Sequence, residues 1–259
     1  MKGARSCPWL VVDSEQAAPS TQCAPDLAKD YTSIAPYYDA SRYGGRKARF
    51  TSHCEVQVLR RAIRRFAPRR GRLIDVACGT GNFTHELADL FDTVVGVDLT
   101  AEMLRRARGK QAEDRGQTIR FVQGSATALP FPQECADVVL STRFLHLFPR
   151  VEHGRLLELF ASLLKPGGIL IVDHDSPLLE WMDHVGGRLR GRPRQGWSSY
   201  HPAETPAGLR RRCRLGVSAP GLPTLSLISR GTARGMASWF VRGPLVRLST
   251  FSVVVYERA

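Results

Sequence analysis

Apolar positions along the chain fall into two alternating rhythms. Continuous runs at Leu73-Ile74, Val94-Val95, Val138-Val139-Leu140 and Ile169-Leu170-Ile171-Val172 are short and rich in branched side chains, as strands buried on both faces are. Between them apolar residues recur three and four positions apart, the stripe of an amphipathic helix. This reading places strands over 72–77, 93–99, 119–123, 135–141 and 169–173, with helices over 47–66, 82–91, 101–109 and 150–164. Pro68 with Gly71, and Lys165-Pro166-Gly167-Gly168, supply the stops. Strand and helix in alternation predict a doubly wound α/β sheet. Further on, 177–185 and the arginine-rich 202–212 read as helices, and 215–228 and 249–256 as the last two strands. Met236, Trp239 and Phe240 fall at helical spacing between those strands, on a segment expected to cover the core or the substrate mouth.

The pattern divides the chain. Residues 1–25 are rich in Ser, Ala, Pro and Gln without periodicity and read as a mobile tail. Residues 26–70 form an N-terminal helical cap, 71–175 the ligand-binding core, and 176–259 the part that selects substrate. A formal net charge of +13 raises nucleic acid as a partner. Yet only five of the 37 basic residues are lysine, a skew that GC-rich codon usage explains as well as a phosphate-binding surface does. Nucleic acid is therefore not favoured. The six cysteines form no C-x-x-C pair and no metal-ligand spacing with histidine, so they read as free thiols in a reducing compartment, with no metal required. No apolar window reaches the length of a membrane span, and the expectation is a cytoplasmic protein.

The chemistry concentrates where the first core strand ends, at Leu73-Ile74-Asp75-Val76-Ala77-Cys78-Gly79-Thr80-Gly81-Asn82-Phe83-Thr84. A strand ending in a carboxylate, a turn on two glycines and a helix start lie at the carboxyl edge of the sheet, where ligands of open α/β sheets bind. A dinucleotide would bring its pyrophosphate here, and Asp75 would repel it. Thr84 also replaces the third glycine of the dinucleotide fingerprint. A ligand carrying an ammonium and a sulfonium would instead welcome Asp75. Asp98, at the end of the second strand and nineteen positions after Gly79, stands near the offset at which a carboxylate meets ribose hydroxyls.

Asp75-x-Ala77-x-Gly79-x-Gly81 resembles the first motif of the class I S-adenosylmethionine-dependent methyltransferases. Ala77 stands where that family has its first glycine, which asks only that position 77 keep a negative φ. The likeness runs in order from Ile34 to Asp175. Ala35-Pro36-Tyr37-Tyr38-Asp39 resembles the segment that folds over the cofactor mouth in small-molecule members, which gives Tyr38 a place near the sulfonium. Asp98-Leu99-Thr100-Ala101-Glu102-Met103-Leu104 resembles the ribose and adenine motif, with Leu99 and Met103 as an apolar floor. Gly124-Ser125-Ala126 is similar to the third cofactor segment, although Ser125 replaces the acidic residue that often bonds the adenine amino group. Cys78 in the turn and Ser141 at the end of strand four complete the expected cofactor wall.

The resemblance implies strand order 3-2-1-4-5-7-6, with strand seven antiparallel and S-adenosylmethionine as cofactor. It implies methyl transfer to an oxygen, nitrogen or activated carbon of a small molecule, in the ubiquinone/menaquinone-methyltransferase-like branch. Ser141-Thr142-Arg143-Phe144 is unlike the Asp/Asn-Pro-Pro-Tyr/Phe segment of enzymes that methylate base amines. An RNA methyltransferase and a cofactor-binding module without turnover stay open as alternatives. His174, with Asp175 beside it at the end of strand five, and His146 in Phe144-Leu145-His146-Leu147-Phe148 are the candidate catalytic residues. His174 is the favoured base because a strand end is a rigid mount.

Overall fold

The fold is that of a computed structural model, which describes residues 30–110, 119–175, 205–218 and 251–259. Seven strands form one sheet: β1 (Arg72–Val76), β2 (Thr93–Asp98), β3 (Ile119–Gln123), β4 (Ala136–Ser141), β5 (Leu164–Asp175), β6 (Leu209–Ser218) and β7 (Phe251–Arg258). Their order is β3-β2-β1-β4-β5-β7-β6. The first five strands pair in parallel, and β7 runs antiparallel to both β5 and β6. This is the expected order and polarity.

Alternate side chains leave a strand on opposite faces, and here each face has its own core. Leu73, Val94, Val138, Ile169 and Val253 point to one side, where α2 (Arg46–Phe66), α3 (Asn82–Leu87) and α4 (Ala101–Gly109) cover them. Ile74, Val95, Val139, Leu170 and Val254 point to the other, against Leu156, Leu157 and Phe160 of α5 (Arg150–Ser162). Coverage on both faces is why these strands read as continuous apolar runs. Ahead of α2 stands α1 (Tyr38–Tyr43), which buries none of its residues fully.

Two departures from the expected elements concern the far edge. Residues 209–212 are not helical: they open β6, after a turn at Gly208 (φ +73). β6 pairs only with β7 among the described residues, and an edge strand accommodates charged side chains such as Arg210, Arg211 and Arg212, so charge was no guide to helix there. The strand expected over 215–228 thus starts earlier, at Leu209, and its continuation past Ser218 lies outside the described residues. So do the tail, the 177–185 helix and the segment with Met236, Trp239 and Phe240. β5 also begins before its glycines, at Leu164, two residues after α5 ends. No helix among the described residues is long and apolar enough to cross a membrane.

Candidate functional site

Strands β1, β2 and β4 end at one edge of the sheet, and the chain order reverses between β1 and β4, which opens a crevice there. A cavity open to solvent occupies it. Its walls bring together Tyr38, Ala77, Cys78, Gly79, Asp98, Leu99, Met103, Gly124, Ser125 and Ala126, ten of the residues singled out from sequence. Four others do not reach the wall: Asp75, Gly81, Ser141 and His146.

The turn after β1 is built by three left-handed residues, Ala77 (φ +59), Gly79 (φ +56) and Gly81 (φ +71). Ala77 corrects the expectation of a negative φ. The Cys78 amide donates to the Val97 carbonyl of β2 (2.9 Å), so the chain must swing at residue 77 whatever side chain it carries. A non-glycine residue in that region costs about 1–2 kcal/mol. A Cβ at Gly79 would meet nothing within 4 Å, which leaves its backbone open to the cavity. At Gly81 a Cβ would press on Ala107 and Phe121 at 3.0–3.1 Å, so this glycine serves the packing of α3 against α4 rather than a ligand. The Cys78 thiol is pushed well up by burial and by Asp75 and Asp98, which makes it wall rather than nucleophile.

Asp75 is buried and accepts from the Thr84 hydroxyl at 2.6 Å. Burial raises its pKa to about 7, against the Thr84 bond and with help from Asp98. Burial thus favours its protonated form, and Asp75 is not among the residues lining the cavity. Thr84, which had counted only as a missing glycine, is its partner. Asp98 does lie on the wall. Its two oxygens accept from the Gly79 amide (2.8 Å) and the Thr100 amide (2.9 Å), so the carboxylate is held even without a ligand. Burial still pushes it up. The Ser125 hydroxyl bonds the Thr127 hydroxyl (2.8 Å) and accepts from the Thr127 amide (3.2 Å), which spends most of its capacity within its own loop. Ser141 ends β4 fully buried, its hydroxyl without a protein partner among the described residues.

Two polar assemblies close the cavity, and sequence reading named neither. On the glycine-turn side, Asp39 of α1 accepts from the Thr80 hydroxyl (2.6 Å) and the Asn82 side-chain Nδ2 (3.0 Å) and pairs with Lys110 (2.8 Å). Burial raises the Asp39 carboxyl, but the bonds to Lys110, Thr80 and Asn82 outweigh it and hold the group below its ordinary value. This latch turns Tyr38 into the wall while Tyr37, one residue earlier, stays exposed.

The opposite side is organised by Arg143, left-handed at φ +56, just past β4. Its amide donates to both oxygens of Asp173 at 2.8 Å. Its Nη2 donates to both oxygens of the buried Glu55 (2.7 and 2.6 Å), and Nη1 donates to the Tyr43 hydroxyl (3.0 Å). The guanidinium also lies 5.4 Å from the Tyr43 ring centre and 5.7 Å from that of Phe83. Burial opposes its charge, but Glu55 and Tyr43 more than restore it. Burial likewise raises Glu55 while Arg143 holds it down, and the bidentate contact supports a charged pair. Tyr43 itself is pushed to about 12, chiefly by burial, and remains a phenol. A carboxylate inside the apolar stripe of α2, between Cys54 and Val56, was the one signal available for Glu55.

His146 lies in a single 3-10 turn, Leu145–Leu147, with its neighbour Leu147 on the wall. Burial first, then Arg42 and Arg143, lower its pKa to about 4, so its imidazole is neutral at physiological pH. The backbone of His174 and Asp175 ends β5 opposite Ser252 and Phe251 of β7. Their side chains lie outside what the structure describes.

A mostly parallel sheet with this switch point and a glycine turn facing a strand-end carboxylate has the geometry at which open α/β sheets take nucleoside-type ligands. Residues 73–168 match the family described as methyltransferase domain. Among curated proteins it is 33% identical over 148 residues to the dTDP-3-amino-3,6-dideoxy-alpha-D-glucopyranose N,N-dimethyltransferase of Streptomyces fradiae, covering 56% of this chain and 54% of that one. It is 37% identical over 119 residues to the ubiquinone/menaquinone biosynthesis C-methyltransferase of Yersinia enterocolitica, covering 43% and 46%. The chain thus spans about half the length of these relatives. Magnesium protoporphyrin IX methyltransferase from Synechocystis, solved with S-adenosylhomocysteine bound, shares the fold at a TM-score of 0.60 and 15% identity, over 92% of this chain and all of that one.

Proposed function

We propose that the protein transfers the methyl group of S-adenosylmethionine to an oxygen, nitrogen or activated carbon of a small molecule, in the cytoplasm. The observation that carries this reading is the convergence of the Ala77–Gly79 turn, Asp98, Leu99, Met103 and 124–126 on one cavity. The cradle suits the cofactor: Gly79 leaves space where a side chain would intrude, and Asp98 is fixed by two amides with lone pairs to spare for hydroxyls. When bound, S-adenosylmethionine supplies an electrophilic methyl on a sulfonium. Asp98 would accept the ribose hydroxyls, Leu99 and Met103 would floor the adenine, and Tyr38 would present its ring to the positive end. Burial of the acceptor against Phe83, Phe144 and Phe148 excludes water and holds the nucleophile in line, an effect worth about 7–11 kcal/mol when alignment is good.

An acceptor that arrives protonated needs a base, and His174 is the proposed one; Asp175 is the next residue of the same strand, and successive positions of a strand face opposite sides of the sheet. His146 is a poorer base, because a pKa of about 4 leaves little affinity for a proton. Cytoplasmic residence is supported by the free thiols of Cys54, Cys78, Cys135 and Cys213.

Incubation with methyl-labelled S-adenosylmethionine and a cell extract tests the reading, with label expected in small organic molecules. Label in RNA would turn the assignment to nucleic acid, and no label would leave a binding module. With the acceptor identified, His174→Ala should lower kcat about 10²–10⁴-fold at unchanged cofactor affinity. Full turnover in that variant removes His174 from the mechanism.

A further inference from the structure

We infer that Arg143 determines acceptor specificity, and that it selects a planar, largely apolar molecule presenting an anionic or carbonyl oxygen over one presenting an ammonium. The inference rests on the methyl-transfer reading, which it deepens by choosing among acceptor classes. A non-glycine residue in the left-handed region and a buried ion pair are both costly, and such outliers persist where surroundings over-determine them, often at functional sites. The surroundings here are specific. Asp173 takes both hydrogen bonds from the Arg143 amide, Glu55 takes Nη2, and Tyr43 takes Nη1. The guanidinium so held lies on the wall of the cavity, because Arg143 is one of its lining residues.

The rest of that wall is apolar and flat: Tyr43, Phe83, Phe144, Leu147 and Phe148, with Thr142 as the nearest hydroxyl in sequence. An aromatic or quinonoid ring fits against such faces, and an oxygen on its rim answers the guanidinium. The two carboxylates nearby offer no counter-site to a cation, because Glu55 and Asp173 are buried and committed to Arg143. Arg42 and Arg143 already disfavour a positive charge at His146, and an acceptor ammonium would meet the same two guanidiniums.

Three probes of one shape test this: benzoate, benzamide and benzylammonium, titrated by ligand-observed NMR at neutral pH into protein loaded with S-adenosylhomocysteine. Benzoate should bind at least about tenfold more tightly than benzylammonium, with benzamide between. The Arg143→Gln/Glu55→Gln double variant, which leaves no carboxylate unpaired, should bring the ratio near one. Arg143→Lys keeps a charge for Glu55 should the double variant not fold, and it should shrink the ratio by losing the stacked plane. Equal binding, preference for the amine, no binding of any probe, or a ratio unchanged in both variants overturns the inference. S-adenosylhomocysteine affinity is measured first. Its absence counts against the methyl-transfer reading, and the probe ratio is then read in the unloaded protein.

Discussion

The two ends of the cavity are built by different means. The end proposed for the cofactor is local: the turn after β1 and the end of β2 meet through backbone amides, and Asp98 is fixed by Gly79 and Thr100. The end proposed for the acceptor is assembled at long range, since Arg143 reaches Glu55 and Tyr43, 88 and 100 positions away in the chain. Backbone contacts tolerate side-chain change, whereas a buried ion pair fails when either member is lost.

The largest expected effect strikes the long-range end. Glu55→Ala leaves the Arg143 guanidinium buried without its partner and should cost about 3–5 kcal/mol in urea unfolding. A loss under about 1 kcal/mol would place the pair with ordinary surface bridges and erase the contrast between the two ends. Next comes the local end. Asp98→Ala should weaken S-adenosylmethionine by about 1.5–3 kcal/mol in calorimetry, the scale of hydrogen bonds to a charged group, with the fold intact. Unchanged affinity would move the ribose elsewhere.

Asp75 gives a pH signature beneath that end. Its folded pKa, about 7, lies above its unfolded value near 4, so the native state binds the proton more tightly. The stability this contributes is complete below about pH 4 and declines, by about 1.4 kcal/mol per pH unit, until pH passes about 7. Asp75→Asn removes the dependence, so the variant should gain on the wild type in denaturant midpoint between pH 5 and 7. A constant difference across that range would mean Asp75 is ionised throughout. The smallest effect is at Ala77. Ala77→Gly relieves a left-handed alanine worth about 1–2 kcal/mol but adds about 0.5–1 kcal/mol of unfolded-state entropy, for a net gain under about 1.5 kcal/mol. A lower Tm in that variant would show the methyl group contributes packing.

Most of the sheet was legible because burial on both faces writes itself as unbroken apolar runs, and the 101–109 helix and 119–123 strand match the expectation residue for residue. Asp98 was legible for a related reason: a strand-end carboxylate is fixed by the strand's own length. Position 77 was not, because its handedness follows from a bond that the next residue makes to β2. Arg210 to Arg212 misled because spacing alone cannot separate a charged edge strand from a helix. Arg143 was noticed only for the motif it lacks, since nothing near it in sequence announces Glu55.

The latch at Asp39 has a consequence for time rather than for stability. No residue of α1 is fully buried, so lifting it exposes little apolar surface. What keeps it down is the Asp39–Lys110 pair with Thr80 and Asn82 at one end and the Tyr43–Arg143 bond at the other. Added salt weakens an ion pair that is about one-third exposed on each side, and leaves both apolar cores as they were. Ionic strength should therefore set how quickly α1 lifts and resettles over the cavity, while the melting of the sheet beneath goes on at its own temperature.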